Sequence, residues 1–214
     1  SMTKSFLGAT VLSLRDEGLL SLEVPVATYV PELDGVRGPT RDAPAPTVRD
    51  LLTMSAGWVT DDPWADRNES MPPDQLDALL RAGLTFDAAP GTRFEYSNLG
   101  WTILGRVVTN VAGARFQDVV AQRVLTPLGL ASTGFALADV PADRLADGHY
   151  RLDDAWHVEP TSPTGEFAAL GGLFSTVEDL AVWVATLCGA FPARDDDDPG
   201  IPARRSTLRE MQQA

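Results

Sequence analysis

A single cysteine stands in 214 residues, so an intrachain disulfide is excluded. Cys188 sits beside Leu187 in an apolar stretch, which predicts a small core residue. Cations are scarce: 17 Lys and Arg face 30 Asp and Glu, a net charge of −13. That balance disfavours nucleic acid and anionic membrane as partners, because phosphate binding needs clustered Lys and Arg. Only two histidines occur, His149 and His157, on either side of an acidic turn. They are too few to make a metal site and read as exposed or turn-packing residues. No apolar run approaches the ~20 residues of a membrane span, no signal peptide is visible, and no internal repeat occurs. What remains, 44% apolar and 22% charged residues, is enough for one sizeable core in a globular chain.

The chemistry-bearing segment is Ser1-Met2-Thr3-Lys4 at the head of an amphipathic stretch. Three residues apart on a helix, Ser1 and Lys4 share a face, so the Lys4 nitrogen can reach the Ser1 hydroxyl. A plain serine is a poor nucleophile without such a partner. The helix start adds free N–H groups and partial positive charge, which favour negative charge developing nearby. To accept a proton Lys4 must be neutral, a state that partial burial or a neighbouring cation favours. The competing reading of Ser1 is an ordinary helix N-cap, and Ser1-Met2 also fits a cloning remnant. The register speaks against the remnant: Phe6, Leu7, Ala9, Val11, Leu12 and Leu14 form a broad apolar stripe ending at Gly18, a suitable C-cap. Further along, Tyr96-Ser97-Asn98 heads a second amphipathic helix over 98–112. On its own that tripeptide is a turn and cap sequence.

Several motifs in order then carry a resemblance. Ser1-Met2-Thr3-Lys4-Ser5-Phe6 is followed by Asp16-Glu17-Gly18-Leu19-Leu20-Ser21-Leu22, by Val30-Pro31-Glu32-Leu33 and by Thr47-Val48-Arg49-Asp50-Leu51-Leu52-Thr53-Met54-Ser55-Ala56-Gly57. Pro90-Gly91-Thr92-Arg93-Phe94-Glu95-Tyr96-Ser97-Asn98-Leu99-Gly100, Pro127-Leu128-Gly129-Leu130 and Gly171-Gly172-Leu173-Phe174-Ser175-Thr176-Val177-Glu178-Asp179-Leu180 complete the series. The chain resembles the β-lactamase-like serine hydrolases, a group that includes class C β-lactamases, D-alanyl-D-alanine carboxypeptidases, D-aminopeptidases and related esterases.

The resemblance implies the mainly α portion of an α/β β-lactamase/DD-peptidase fold, one catalytic domain over residues 1–214 whose flanking sheet strands are missing at both ends. It implies that Ser1 is acylated, that Lys4 and Tyr96 are its proton-transfer groups with coupled titrations, and that Asn98 binds a substrate oxygen and steadies Lys4. Gly171 and Gly172 would lie near the site and let backbone approach a ligand. Two departures stand out. Met54 replaces the histidine many relatives carry before Ser-Gly. The third family motif, Lys-Thr-Gly or His-x-Gly on a strand that also supplies an oxyanion N–H, has no match. No metal or organic cofactor is implied, and the expected partner is a small-molecule or peptide substrate.

The rest of the chain reads as helices and loops. Thr47 caps a short helix with Asp50 in its first turn and Gly57 at its end. The loop over 58–73 carries Trp58 and Trp64, which either contact substrate or anchor the loop to the core. Helices are expected over 74–82 and 116–124, a short hairpin around Gly148-His149-Tyr150 and Ala155-Trp156-His157, and a helix to Leu187 opened by a Ser175/Glu178 capping box. The run over 195–198 is a solvated surface charge cluster. The function expected is a serine hydrolase acting through an acyl-enzyme on an amide, β-lactam or ester. Two alternatives stand beside it: an N-terminal-nucleophile hydrolase using the α-amine of Ser1, which needs stacked sheets, and a non-catalytic binding or scaffold protein that keeps the fold.

Overall fold

The computed structural model describes residues 1–60, 66–161 and 163–213, and Trp64 lies outside them. Its architecture follows from one helix too apolar to leave any face in water. In α1 (Thr3–Asp16) every residue from Thr3 to Leu14 except Ser5 is buried, so other helices must surround it. They are α4 (Asn98–Ala112), α6 (Ala168–Gly171) and α8 (Arg205–Met211), each packed directly on α1. Around this centre lie α2 (Val48–Leu52), α3 (Pro73–Arg81), α5 (Phe116–Val120), which continues as a π-helix over Ala121–Leu125, and α7 (Val177–Cys188). Among the described residues the only sheet is an antiparallel pair, β1 (His149–Leu152) with β2 (Ala155–Val158), in the register His149↔Val158 to Leu152↔Ala155. Stacked sheets are absent from the described residues, so the fold gives the N-terminal-nucleophile alternative no support.

Where local chemistry and packing agree, elements fall where the sequence puts them. Ser97 caps α4 by accepting from the Gly100 N–H at 3.0 Å, and Leu99, Ile103, Leu104, Val107 and Val108 face the core. The Thr47 cap is reciprocal, because Asp50 N–H donates to Thr47 Oγ1 while Thr47 N–H donates to the Asp50 carboxylate. Gly18 ends α1 in the left-handed region at φ +74°.

Four expectations change, and one left open, the role of Trp58, is decided. The helix α2 stops at Leu52, and Gly57 is not its cap: at φ +81° it lets the chain pass so close to Ala88 that a Cβ there would lie 2.2 Å from the Ala88 carbonyl oxygen. The helix α7 is capped by Thr176, which accepts from Asp179 N–H at 3.3 Å, rather than by Ser175. The reason is tertiary: an antiparallel bridge between Gly134 and Phe174 holds the chain extended, and Ser175 Oγ pairs with Thr133 Oγ1 at 2.8 Å. Cys188 is exposed, because α7 turns Leu180, Trp183 and Leu187 toward the body and leaves a second apolar stripe outside. The acidic run is partly structural: Asp196 and Asp198 flank the largely buried Arg205, whose guanidinium donates to Asp196 Oδ1 at 2.7 Å. Trp58 is buried at 2% exposure, tilted against Phe86 at 6.2 Å between centroids. It is a core anchor and presents almost no surface to a substrate.

The two histidines sit on the exposed hairpin, His157 stacked on Tyr150 at 5.3 Å. Among the described residues no group of three or more His, Cys, Asp or Glu is placed to hold a metal ion, and no helix is long and apolar enough to cross a membrane.

Candidate functional site

Three segments converge at the start of α1. Ser1 precedes the N-cap residue Met2, where no side chain caps the helix. The Ser1 hydroxyl lies 2.8 Å from the Tyr96 hydroxyl and accepts from Lys4 Nζ at 3.1 Å. Lys4 follows one turn later, as its spacing predicts, and is only 6% exposed. The α1 stem is held rigid from outside by α7, whose Trp183 stacks on Phe6 with centroids 4.5 Å apart and donates from Nε1 to Ser5 Oγ at 2.9 Å.

Tyr96 and Asn98 arrive on the turn into α4. The turn is pinned on one side by Glu95 N–H donating to the Met54 carbonyl at 2.7 Å and on the other by the Ser97 cap. Its extended Ser97 backbone separates the two side chains, leaving Tyr96 half-buried and Asn98 at 1% exposure. Asn98 Oδ1 accepts from Lys4 Nζ at 2.8 Å, and the Tyr96 ring centroid lies 5.3 Å from the same nitrogen.

The third segment is α6 and the glycines that end it. The Leu170 carbonyl accepts from Lys4 Nζ at 2.8 Å. Gly171 faces the Ser1 backbone, since a Cβ there would lie 3.9 Å from Ser1 N. Leu173 N–H donates to Thr3 Oγ1 at 3.2 Å, tying the segment to the first turn of α1. A small cleft of about 130 Å³ opens here, lined in part by Ser1, Thr3, Gly171 and Leu173.

Ser1, Lys4, Tyr96, Asn98 and Gly171 are thus brought together, with Gly172 one residue further on. Trp58 is not part of the group. Sequence reasoning missed Leu170, whose contribution is a backbone carbonyl, and Thr3, whose hydroxyl positions the glycine segment. The only hint of either is their adjacency to Lys4 and to Gly171-Gly172.

Lys4 therefore meets three oxygens. As an ammonium it donates to all three; as a neutral amine its two N–H bonds serve Asn98 Oδ1 and the Leu170 carbonyl, and its lone pair faces Ser1 Oγ. Such an arrangement can take a proton from Ser1 without rearranging, and Tyr96 offers a second hydroxyl within hydrogen-bond reach of the same oxygen.

The comparisons with known proteins agree with this architecture. The family model described as Beta-lactamase matches residues 1–214. Protein Rv1367c of Mycobacterium tuberculosis is 33% identical over 88% of this chain and 53% of its own length. The chain thus spans about half of that relative. A D-stereospecific amidohydrolase from a Streptomyces species superposes with a TM-score of 0.74 at 27% identity, over 98% of this chain and 63% of that one. A class C β-lactamase from Rhodobacter sphaeroides gives 0.70 at 28% identity, over 98% and 54%. With the whole chain matched by the family model and with fold neighbours of this kind, the protein belongs to the Beta-lactamase family, and its described residues form a mostly helical part of that fold.

Proposed function

We propose that the protein is a serine hydrolase that forms and hydrolyses an acyl-enzyme on Ser1. The observation that carries this reading is the position of Ser1 Oγ, 2.8 Å from a phenol and 3.1 Å from a buried amine that two further oxygens hold in place. An N-cap serine would aim its oxygen at backbone N–H groups, whereas this hydroxyl meets two proton-transfer groups.

The chemistry follows from that geometry. Ser1 Oγ attacks the acyl carbon, and its proton passes to the Lys4–Tyr96 pair. Negative charge developing on the acyl oxygen beside Ser1 is favoured by the start of α1. The pair returns the proton to the leaving amine or alkoxide as the acyl–heteroatom bond breaks. Water then attacks the ester by the reverse route, releasing the acid and free Ser1. The substrate class is an amide, β-lactam or ester, in keeping with the amidohydrolase and β-lactamase among the solved relatives.

The test is labelling of the full-length protein with a fluorophosphonate, followed by intact mass spectrometry and peptide mapping. One adduct on the peptide containing Ser1, absent from Ser1→Ala, is expected. An adduct that survives Ser1→Ala moves the nucleophile elsewhere. No adduct, together with no ester hydrolysis, leaves the non-catalytic binding protein as the reading of the fold.

A further inference from the structure

The helix that carries the nucleophile starts without a side-chain cap. Met2, its N-cap residue, makes no capping hydrogen bond and already holds helical dihedral angles, φ −58° and ψ −28°. Helix ends of this kind fray unless neighbouring elements hold them.

Two neighbours do so here. Trp183 of α7 donates from Nε1 to Ser5 Oγ at 2.9 Å, and Ser5 Oγ donates in turn to the Met2 carbonyl at 2.7 Å. That carbonyl also accepts from Ser5 N–H at 3.0 Å. Leu173 N–H ties the next residue, Thr3, through its Oγ1. A serine bonding back to the carbonyl three residues earlier is an ordinary local motif. In this case the same oxygen accepts from a residue 178 positions along the chain, so the hydroxyl links α7 to the peptide that follows Met2.

Trp183 is 3% exposed and its ring stacks on Phe6 with 21° between planes. The stack asks only for an aromatic ring; the N–H is what reaches the first turn of α1. The tolerance there is narrow. Ser1 Oγ lies 2.8 Å from Tyr96 Oη and 3.1 Å from Lys4 Nζ, and a shift of about 1 Å away from either would break that hydrogen bond.

We infer that Trp183 is a positioning residue for acylation: its indole N–H, relayed by Ser5 Oγ, holds the Met2–Thr3 peptide and with it the Ser1 hydroxyl between Lys4 and Tyr96. The inference rests on Ser1 acylation and adds to it a residue that does not line the cleft at Ser1.

The experiment is stopped-flow acylation of the full-length protein by p-nitrophenyl acetate, with fluorophosphonate labelling of Ser1 beside it. Trp183→Phe keeps a ring against Phe6 and removes the N–H; Ser5→Ala removes the relay. Each should lower the acylation rate constant by about three- to tenfold, the worth of one hydrogen bond, with the half-saturating ester concentration unchanged. The double variant should lose little more than either single one, because both break the same link. Ser5→Thr, which keeps the hydroxyl, should stay near the wild-type rate. Alanine is the better helix former, so a merely structural Ser5 predicts a Ser5→Ala protein that melts no lower and acylates normally. Should Trp183→Phe fail to fold, the Ser5→Ala and Ser5→Thr pair decides the matter. A wild type labelled at Ser1 whose Trp183→Phe and Ser5→Ala variants acylate at its own rate overturns this inference and leaves the hydrolase reading standing. Losses that multiply in the double variant also overturn it, since the two residues would then act independently. A wild type with neither labelling nor turnover removes the hydrolase reading and this inference with it.

Discussion

The hydroxyls of Ser1 and Tyr96, 95 positions apart in the chain, lie 2.8 Å from each other. The contact depends on the turn into α4 and removes nothing from the core, because Tyr96 is only half-buried. Tyr96→Phe should therefore leave folding nearly intact while lowering kcat on an ester by roughly 10²–10⁴, the range for loss of a positioned acid or base. Circular dichroism and steady-state kinetics on the full-length protein separate the two effects. Turnover near wild type would make Tyr96 a structural residue.

Lys4 is held on three sides, and Asn98 supplies one of them. Lys4→Ala should cost at least as much activity as Tyr96→Phe. Asn98→Ala removes one of these anchors, so it should slow acylation by roughly 10–100-fold, as a misplaced catalytic group does. Stopped-flow acylation with a chromogenic ester measures both. An Asn98→Ala protein that acylates at the wild-type rate would show that the Leu170 carbonyl alone orients the amine.

How much of this was legible in the sequence depends on where each decision is made. The bounds of α4 were readable because an apolar face, the Ser97 cap and Gly113 in the left-handed region all agree locally. The Ser1–Lys4 pairing followed from helix periodicity alone. The choice of Thr176 over Ser175 as a cap was not readable, since the bridge between Gly134 and Phe174 decides it from 40 residues away. Cys188 misled because α7 is apolar on two stripes, and hydropathy does not say which one turns inward. The Leu170 carbonyl had no signature, because a main-chain acceptor is the same at every residue.

Arg106 is 8% exposed and bridges α4 to two carboxylates, donating to Asp77 Oδ1 at 2.5 Å and to Glu166 Oε2 at 3.1 Å. Burial works against its charge and the hydrogen bond to Asp77 leads the effects that favour it, with the balance raising its pKa further. Arg106→Ala would strand both acids, so it should cost about 3 kcal/mol, toward the lower end for a broken buried pair because the acids are partly solvated. It should also loosen the 165–166 segment, whose N–H groups donate to the Glu69 and Met71 carbonyls. Chemical denaturation of the full-length protein gives the stability, and a loss under 0.5 kcal/mol, within the surface range, would contradict a structural role for the network.

Val177, Ala181, Val184 and Cys188 recur at helical spacing on the outer side of α7, with Val177 79% and Val184 55% exposed. No charged side chain interrupts this stripe, and apolar surface of this kind gains on the order of 25 cal/mol per Å² when covered. Residues 1–214 produced alone should therefore self-associate through α7. Light scattering with reductant present, to keep Cys188 from forming disulfides, should show a mass that rises with concentration. Val184→Lys should shift it toward the monomer, because burying an ammonium in an apolar contact is unfavourable. A polypeptide that stays monomeric at about 100 μM, or a Val184→Lys variant that associates as strongly as the parent, would remove α7 as the contact surface.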